Sequence, residues 1–315
     1  VAEALVGGVD SVGIPVTDAE RSIAFYTQVL QFHAVADRTV GGTAYDRLFG
    51  VQGLRLRAVR LQLGGDSIEL LQYRSPSGRP VPADARSDDR WFEHIAIIVS
   101  DMDRAYGWLR DHHVRAGSAG PQVLPAWNPA AGGIAAYYFK DPDGNPLEIL
   151  HFPPGKGAPR WHAASRQLFL GIDHTTIGVA DSAASLAYYR DALGFRVAGE
   201  SDNYGAEQER LSGVPGAHVH ITTLRAAAGP GVELLEYRAP RSGRPYPADT
   251  RASDHWQWIL GLRVRPGSAA VAIEPLRRWH WISQQPTELG GEALGFRDAL
   301  MLRDPDGHAD NLILH

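Results

Sequence analysis

The chain repeats itself, and this limits its fold more than any single motif does. "ELLQYRSPSGRPVPADARSDDRW", Glu69 to Trp91, returns as "ELLEYRAPRSGRPYPADTRASDHW", Glu233 to Trp256, with one residue inserted. "GVDSVGIPVTD", Gly8 to Asp18, returns as "GIDHTTIGVAD", Gly171 to Asp181, and "KDPDG" at Lys140 returns as "RDPDG" at Arg303. Order and spacing hold along both copies at an offset of 163 to 165 residues, the signature of a tandem duplication. Two homologous halves are therefore expected, residues 1–152 and 170–315, with a linker over 153–169. The joining stretch "HFPPGKGAPRWHAASRQ" carries prolines and glycines that disfavour regular structure.

Each half divides again. "HIAIIVSDMDRAYGWLRD", from His94, follows the plan of the opening segment: a β-rich run, an Asp at a helix start, then apolar residues at helical spacing. In "DAERSIAFYTQVL" the apolar residues Ile23, Tyr26, Val29 and Leu30 fall on one helical face. Strand-like runs follow, such as "RLRAVRLQL" and "SIELLQY", or "GIAAYYFK" and "PLEILHF" joined by a "DPDG" turn. The pattern predicts an α+β chain of four βαβββ modules, near residues 9–75, 93–152, 172–240 and 255–315.

Composition narrows the function. A net charge of -5 and a pI near 6.2, with Lys and Arg scattered, provide no footprint for nucleic acid or an anionic membrane. A small-molecule substrate is the expected partner, with the chain a monomer or homodimer. No run approaches the roughly 18 apolar residues of a membrane-spanning helix, so the chain reads as soluble. The absence of cysteine excludes disulfides, thiolate ligands and a cysteine nucleophile, and suits a cytoplasmic or an exported protein alike. A start at Val1 permits a removed signal peptide.

A βαβββ module with "AFYTQVL" or "AYYRDALGF" on its helix, a "DPDG" hairpin and a last strand such as "PLEILHF" resembles the vicinal oxygen chelate superfamily. That superfamily embraces glyoxalase I, methylmalonyl-CoA epimerase, extradiol dioxygenases, fosfomycin-resistance enzymes and bleomycin-binding proteins. The resemblance implies cupped mixed β-sheet barrels (the glyoxalase-like fold), each built from two modules, with metal ligands on the first and last strands of each module. Carried over, it nominates Ser11 and Glu69 in the first module, His94 and Glu148 in the second, and His174 and Glu233 in the third. The fourth is poor: ungapped comparison sets Ile259 opposite His94, and Asp310 or Asn311 near the place of Glu148. If its first strand begins at "HWQWIL", His255 becomes the candidate.

The residues argue for a metal without the family. Glu69, Glu148 and Glu233 each stand between aliphatic residues in a strand, where side chains alternate; such a Glu either faces water or enters a cavity where its charge needs a partner. Taken singly, each of these Glu, and His94 or His174, reads as an ordinary sheet residue. Two modules that each place a His early and a Glu late favour metal binding. His218 and His220 share a strand face and could ligate a metal, but an exposed strand is the preferred reading, and His112 and His113 suit a helix C-terminus. The group Trp256, Trp258, Trp279 and Trp281 reads as core or interface.

Module pairing decides which ligands meet. Neighbour pairing yields two irregular sets, one with Glu69, His94 and Glu148 and the other with His174, Glu233 and His255. Crossed pairing, second with third and first with fourth, yields one complete set of His94, Glu148, His174 and Glu233. It leaves Ser11 in a cup that has lost its ligands, and this reading is preferred as the more economical.

Two His and two Glu leave room for water or substrate on a divalent ion such as Ni, Co, Fe, Mn or Zn. The expected function is a metal-dependent lyase or isomerase of glyoxalase type, acting through an enediolate on a substrate with adjacent oxygens. Glu148 and Glu233 are the candidate proton-transfer bases. No residues specify glutathione or CoA. Extradiol ring cleavage is an alternative, but the catalytic histidine those enzymes carry upstream of the "DPDG" turn is missing from "AGGIAAYYFK" and "GFRDALML". A metal-free binding protein of bleomycin-resistance type is the other.

Overall fold

Each module begins as its sequence requires. Asp18, Asp101 and Asp181 cap the first helices of the first three modules, their carboxylates accepting from backbone N–H groups of the opening turn, which would otherwise lack partners. In the computed structural model, which describes residues 4–314 and no side chains for 269–272, four modules follow in order; Val1 lies outside the described residues. The first comprises β1 (Val6–Pro15), α1 (Ala19–Ala24), β2 (His33–Gly41), α2 (Thr43–Phe49), β3 (Arg55–Leu63) and β4 (Asp66–Ser75). The second comprises β5 (Glu93–Val99), α3 (Met102–Asp111), β6 (Arg115–Ala116), β7 (Gln122–Val123), β8 (Ala135–Lys140) and β9 (Pro146–His151).

The third module comprises β10 (Phe169–Val179), α4 (Ser182–Leu186), β11 (Arg196–Tyr204), α5 (Ala206–Ser212), β12 (His218–Arg225) and β13 (Gly231–Ala239). The fourth comprises β14 (Ile259–Val264), α6 (Ala269–Leu276), β15 (His280–Trp281), β16 (Thr287–Glu288), β17 (Asp298–Arg303) and β18 (Ala309–Ile313). Its first strand starts at Ile259, so "HWQWIL" is not a strand start and His255 belongs to the preceding loop. In the second and fourth modules the second strand shrinks to two-residue pieces. Gly117, Gly120 and Pro121 interrupt one, and Pro286 the other, where a missing N–H or an unrestrained backbone breaks the ladder. The α1 and α4 helices widen into π-helical turns over Phe25–Val29 and Ala187–Ala192. Tyr26 and Leu30 are fully buried, while Ile23 and Val29 are half-buried.

The modules pair crosswise. One sheet runs β15-β17-β18-β14-β1-β4-β3-β2 and the other β11-β12-β13-β10-β5-β9-β8-β6, each taking one module from each sequence half. Antiparallel seams β1–β14 and β5–β10 join the modules. The main apolar cluster spans both sheets and the helices, through Ile14, Ile97, Ile172, Leu262, Tyr26 and Tyr189.

Two long straps, residues 76–92 and 240–258, connect the sheets and explain the repeated "SGRP" and "PAD" motifs. Asp254 of one strap accepts from Arg79 N, Nε and Nη2 of the other and from Arg251 N, at 2.6–3.0 Å. Asp89 takes the mirror-image set from Arg244 and Arg86 N. Both aspartates are almost fully buried, and charge-assisted fork bonds of this kind carry direction as well as energy. The guanidinium groups of Arg79 and Arg244 lie 4.8 and 4.9 Å from the rings of Trp256 and Trp91. The straps approach so closely at Gly78 and Gly243 that a Cβ there would run into the carbonyl oxygens of Ser253 and Asp88.

Candidate metal centre

The seam between β5 and β10 sets the site. His94 lies opposite Thr176 and His174 opposite Ala96, so both histidines project from one face of the sheet as diagonal neighbours. On the flanking strands Glu148 is in register with Ala96, and Glu233 with Thr176. An approximate twofold axis thus relates His94 and Glu148 to His174 and Glu233. His94 is 1% exposed, and Glu148 and His174 are each 4% exposed.

The four side chains converge. Glu148 Oε2 lies 3.2 Å from His94 Nε2 and 3.7 Å from His174 Nε2, and Glu233 Oε2 lies 3.3 Å from His174 Nε2. Ligating atoms of His94, Glu148 and His174 fall within 4.8 Å of one another. Among the described residues neither carboxylate has a Lys or Arg partner; Glu233 instead accepts a 2.8 Å hydrogen bond from the Thr223 hydroxyl. Two imidazoles and two carboxylates sharing a buried pocket, with no Lys or Arg on the carboxylates among the described residues, form a donor set suited to a divalent cation.

Asp173, which the residue pattern did not single out, holds His174 from behind. Its carboxylate lies 3.0 Å from His174 Nδ1 and accepts from Arg225 Nη2 at 2.7 Å and Trp161 Nε1 at 2.9 Å. In the neutral ring this arrangement favours the tautomer with its proton on Nδ1, and in either charge state it leaves Nε2 to face the cluster. Burial alone would lower the His174 pKa, but Glu233, Asp173 and Glu148 outweigh it and push it up to about 9. Burial would raise Asp173, yet His174, Arg225 and Trp161 hold it well below the usual carboxylate range. His94 differs: its Nδ1 is buried without a hydrogen-bond partner among the described residues, while its ring packs on Tyr138 and Phe92 at 5.0 and 5.4 Å. A repeated signal existed for Asp173, since Asp10 stands at the same place in the first copy.

The cup opens into a cavity of about 440 Å³, walled by residues such as Leu124, Ile134, Phe152, Ile221 and Leu235. In the other cup the space beside Ser11 and Ile259 shrinks to about 20 Å³, and a separate pocket of about 330 Å³ borders Arg38, Arg60, Glu69 and Arg263. Phe49, Leu56, Tyr73, Ile259, Phe296 and Met301 pack there as an apolar cluster, with Ile259 where the first cup has His94. Asn311, in register with Gly261, stands in the place of Glu148. Glu69 lies here, apart from the four converging residues, and Arg60 bridges it to Asp10 at 3.3 and 2.8 Å. Arg263 also pairs with Asp10. Arg60 is in register with Glu69 as Thr223 is with Glu233, so a guanidinium sits where the intact cup has a hydroxyl. Ser11 borders this filled cup.

His255 is likewise apart from the cluster, in the second strap beside a different cavity. His218 and His220 contact Asp202 at 3.2 and 3.3 Å, and His112 caps the C-terminal end of α3, with its ring on Trp108. Trp256 and Trp258 are buried, and Trp279 packs on Tyr188.

A family model of the Glyoxalase/Bleomycin resistance protein/Dioxygenase superfamily matches residues 8–149 and 171–273. The chain belongs to this superfamily. Glyoxalase I from Zea mays superposes with a TM-score of 0.63 at 16% identity, covering 98% of this chain and 92% of that one. A Bacillus subtilis protein provisionally assigned as a dioxygenase superposes with a TM-score of 0.59 at 12% identity, covering 99% and 86%. At such identities the likeness establishes the fold alone. No curated protein matches the sequence. The buried His–Glu–His cluster fits the divalent-metal sites typical of this superfamily, and among the described residues no helix is long and apolar enough to cross a membrane.

Proposed function

We propose that the cup of the second and third modules binds a divalent cation through His94, Glu148, His174 and Glu233. In this reading it catalyses lyase or isomerase chemistry of glyoxalase type on a small substrate with adjacent oxygens. The observation that carries the reading is the contrast between the cups. Where the carboxylate has Arg60, apolar side chains pack the space in which the other cup has its histidines; where the carboxylates have no Lys or Arg partner among the described residues, the cavity reaches His94, Glu148, His174 and Glu233.

A bound cation would polarise the substrate carbonyl and stabilise the charge that develops on an enediolate. Glu233, less buried than Glu148 and steadied at one oxygen by Thr223, takes the proton from the hydroxyl-bearing carbon beside the carbonyl and returns it to the former carbonyl carbon, while the hydroxyl proton passes to the former carbonyl oxygen. Glu148, enclosed by His94, His174 and Tyr138, stays a ligand.

The test is elemental analysis of protein purified without chelators, followed by proton exchange at dihydroxyacetone in D2O. About one equivalent of a divalent transition metal is expected, and Glu233→Gln should slow exchange by about 10²- to 10⁴-fold, the usual worth of a positioned base. A second reading, a metal-free binding protein, draws on the raised His174 pKa, because a proton there also balances the carboxylates. Metal-free, stable protein without exchange activity would favour it and refute the enzyme.

A further inference from the structure

A second cavity, of about 230 Å³, lies between the straps and the β8–β9 turn, and Tyr138 is the one residue it shares with the cup. The duplication provides an internal comparison for it. In the other copy the corresponding space is filled by Tyr246, whose ring packs edge-on against Trp91 at 6.5 Å and His308 at 5.2 Å. Its hydroxyl donates to Glu93 Oε1 at 2.9 Å, and Gly307 is so close that a Cβ there would meet the ring at 3.1 Å.

The repeat offset converts each of these residues into its counterpart. Trp91 becomes Trp256, Glu93 becomes Trp258, His308 becomes Asn145, Gly307 becomes Gly144 and Tyr246 becomes Val81. All five counterparts line the open cavity. Val81 is too short to fill what a tyrosine ring fills in the mate, so the cavity has the walls of an aromatic pocket without its ring. Its size is ample for one, since an apolar cavity of about 150 Å³ already holds benzene.

The polar groups differ between the mates in a way that indicates charge. Arg303, the counterpart of Lys140, donates to Gln257 Oε1, the Gly307 carbonyl and the Thr250 carbonyl. Lys140 borders the cavity and has no hydrogen-bond acceptor or ion-pair partner among the described residues. Burial and the neighbouring Arg115 hold its pKa below the ordinary value, as befits a cation without a counter-ion. His255, 8% exposed, also faces the cavity, and its ring has no hydrogen-bond partner among the described residues. Among the described residues the one carboxylate in the lining, Glu93, is engaged by Tyr246, and Asp143 and Asp254 lie near His255 outside the lining.

We propose that this cavity binds a single-ring aromatic carboxylate, its ring in the place Tyr246 takes in the mate and its carboxylate on Lys140 and His255. The inference stands on strap and turn residues and is independent of the metal reading. The Phe92 and Tyr138 walls pack on His94, so the ring would rest directly behind the metal cluster.

Calorimetry and tryptophan fluorescence with 4-hydroxybenzoate test it, with 4-hydroxybenzamide as the neutral comparator. Saturable one-to-one binding is expected, accompanied by a fluorescence change because three tryptophans line the cavity. Val81→Tyr, which installs the residue of the mate, and Lys140→Met should each weaken binding about tenfold or more, and so should replacing acid by amide. Thermal melting verifies folding, and should Val81→Tyr fail to fold, Lys140→Met carries the test. No saturable binding, binding unchanged in a folded Val81→Tyr or in Lys140→Met, or equal affinity for acid and amide would each overturn the proposal.

Discussion

Removing the Asp173 carboxylate should weaken metal binding although Asp173 is not one of the four converging residues. Its oxygens accept from His174 Nδ1, Arg225 Nη2 and Trp161 Nε1 at 2.7–3.0 Å, and the first of these contacts fixes the ring so that Nε2 faces Glu148 and Glu233. In Asp173→Ala the ring loses that anchor, and a metal must then order the imidazole as well as bind it. Partners of this outer kind are worth about ten- to a hundredfold in metal affinity, or about 1.4–2.8 kcal/mol. Asp173→Asn should fall in between, because its amide oxygen can still accept from His174 while the nitrogen turns toward Trp161. The assay is competition of each variant with a chromophoric chelator for Co(II) or Zn(II), with Asp10→Asn in the filled cup as the control for charge removal. Thermal melting without metal separates loss of affinity from loss of fold. An Asp173→Ala protein that folds and binds within about twofold of the parent would refute the argument, since a difference that small lies well below what a lost partner costs.

The pairing of modules has its own signature in metal titrations: His94→Ala and His174→Ala should each lower affinity and combine non-additively, as residues on one ion do. Ser11→Ala and Glu69→Gln should leave metal content unchanged, and a loss in either would return the filled cup to consideration. Stability should also depend on pH through His308, where burial lowers the pKa but Asp304, at 2.9 Å, and Glu93 push it up to about 9. A raised histidine pKa stabilises fully below its unfolded value near 6.5 and loses that contribution as pH rises through about 9, on the order of 3 kcal/mol in all. His308→Asn, the residue its counterpart Asn145 already is, should flatten the denaturant midpoint between about pH 6.5 and 9; an unchanged slope would contradict the assignment.

Much of this protein is legible in the linear chain because local rules repeat in it. Aspartates before apolar helical runs, the "DPDG" turns and alternating strands mark four modules, since caps, turns and periodicity depend on residues a few positions apart. His94, Glu148, His174 and Glu233 stand out as a pattern for the same reason: the duplication presents it twice. What no local rule contains is which module lies beside which. That is decided by Arg79 reaching Asp254 and Arg244 reaching Asp89, contacts 175 and 155 residues apart in the chain, and by Gly78 and Gly243 letting the straps cross. The same holds for His255, a plausible ligand by position that the strap carries to another cavity, and for Glu69, whose partner Arg60 lies on the adjoining strand β3 and reads in sequence as one charged residue among many. Asp173 matters only because folding sets Trp161 and Arg225 around it. Ser11 and Ile259 explain each other only across the β1–β14 seam. A side chain's type is written in the sequence, but its charge state and its chemistry depend on what long-range packing brings within a few ångströms.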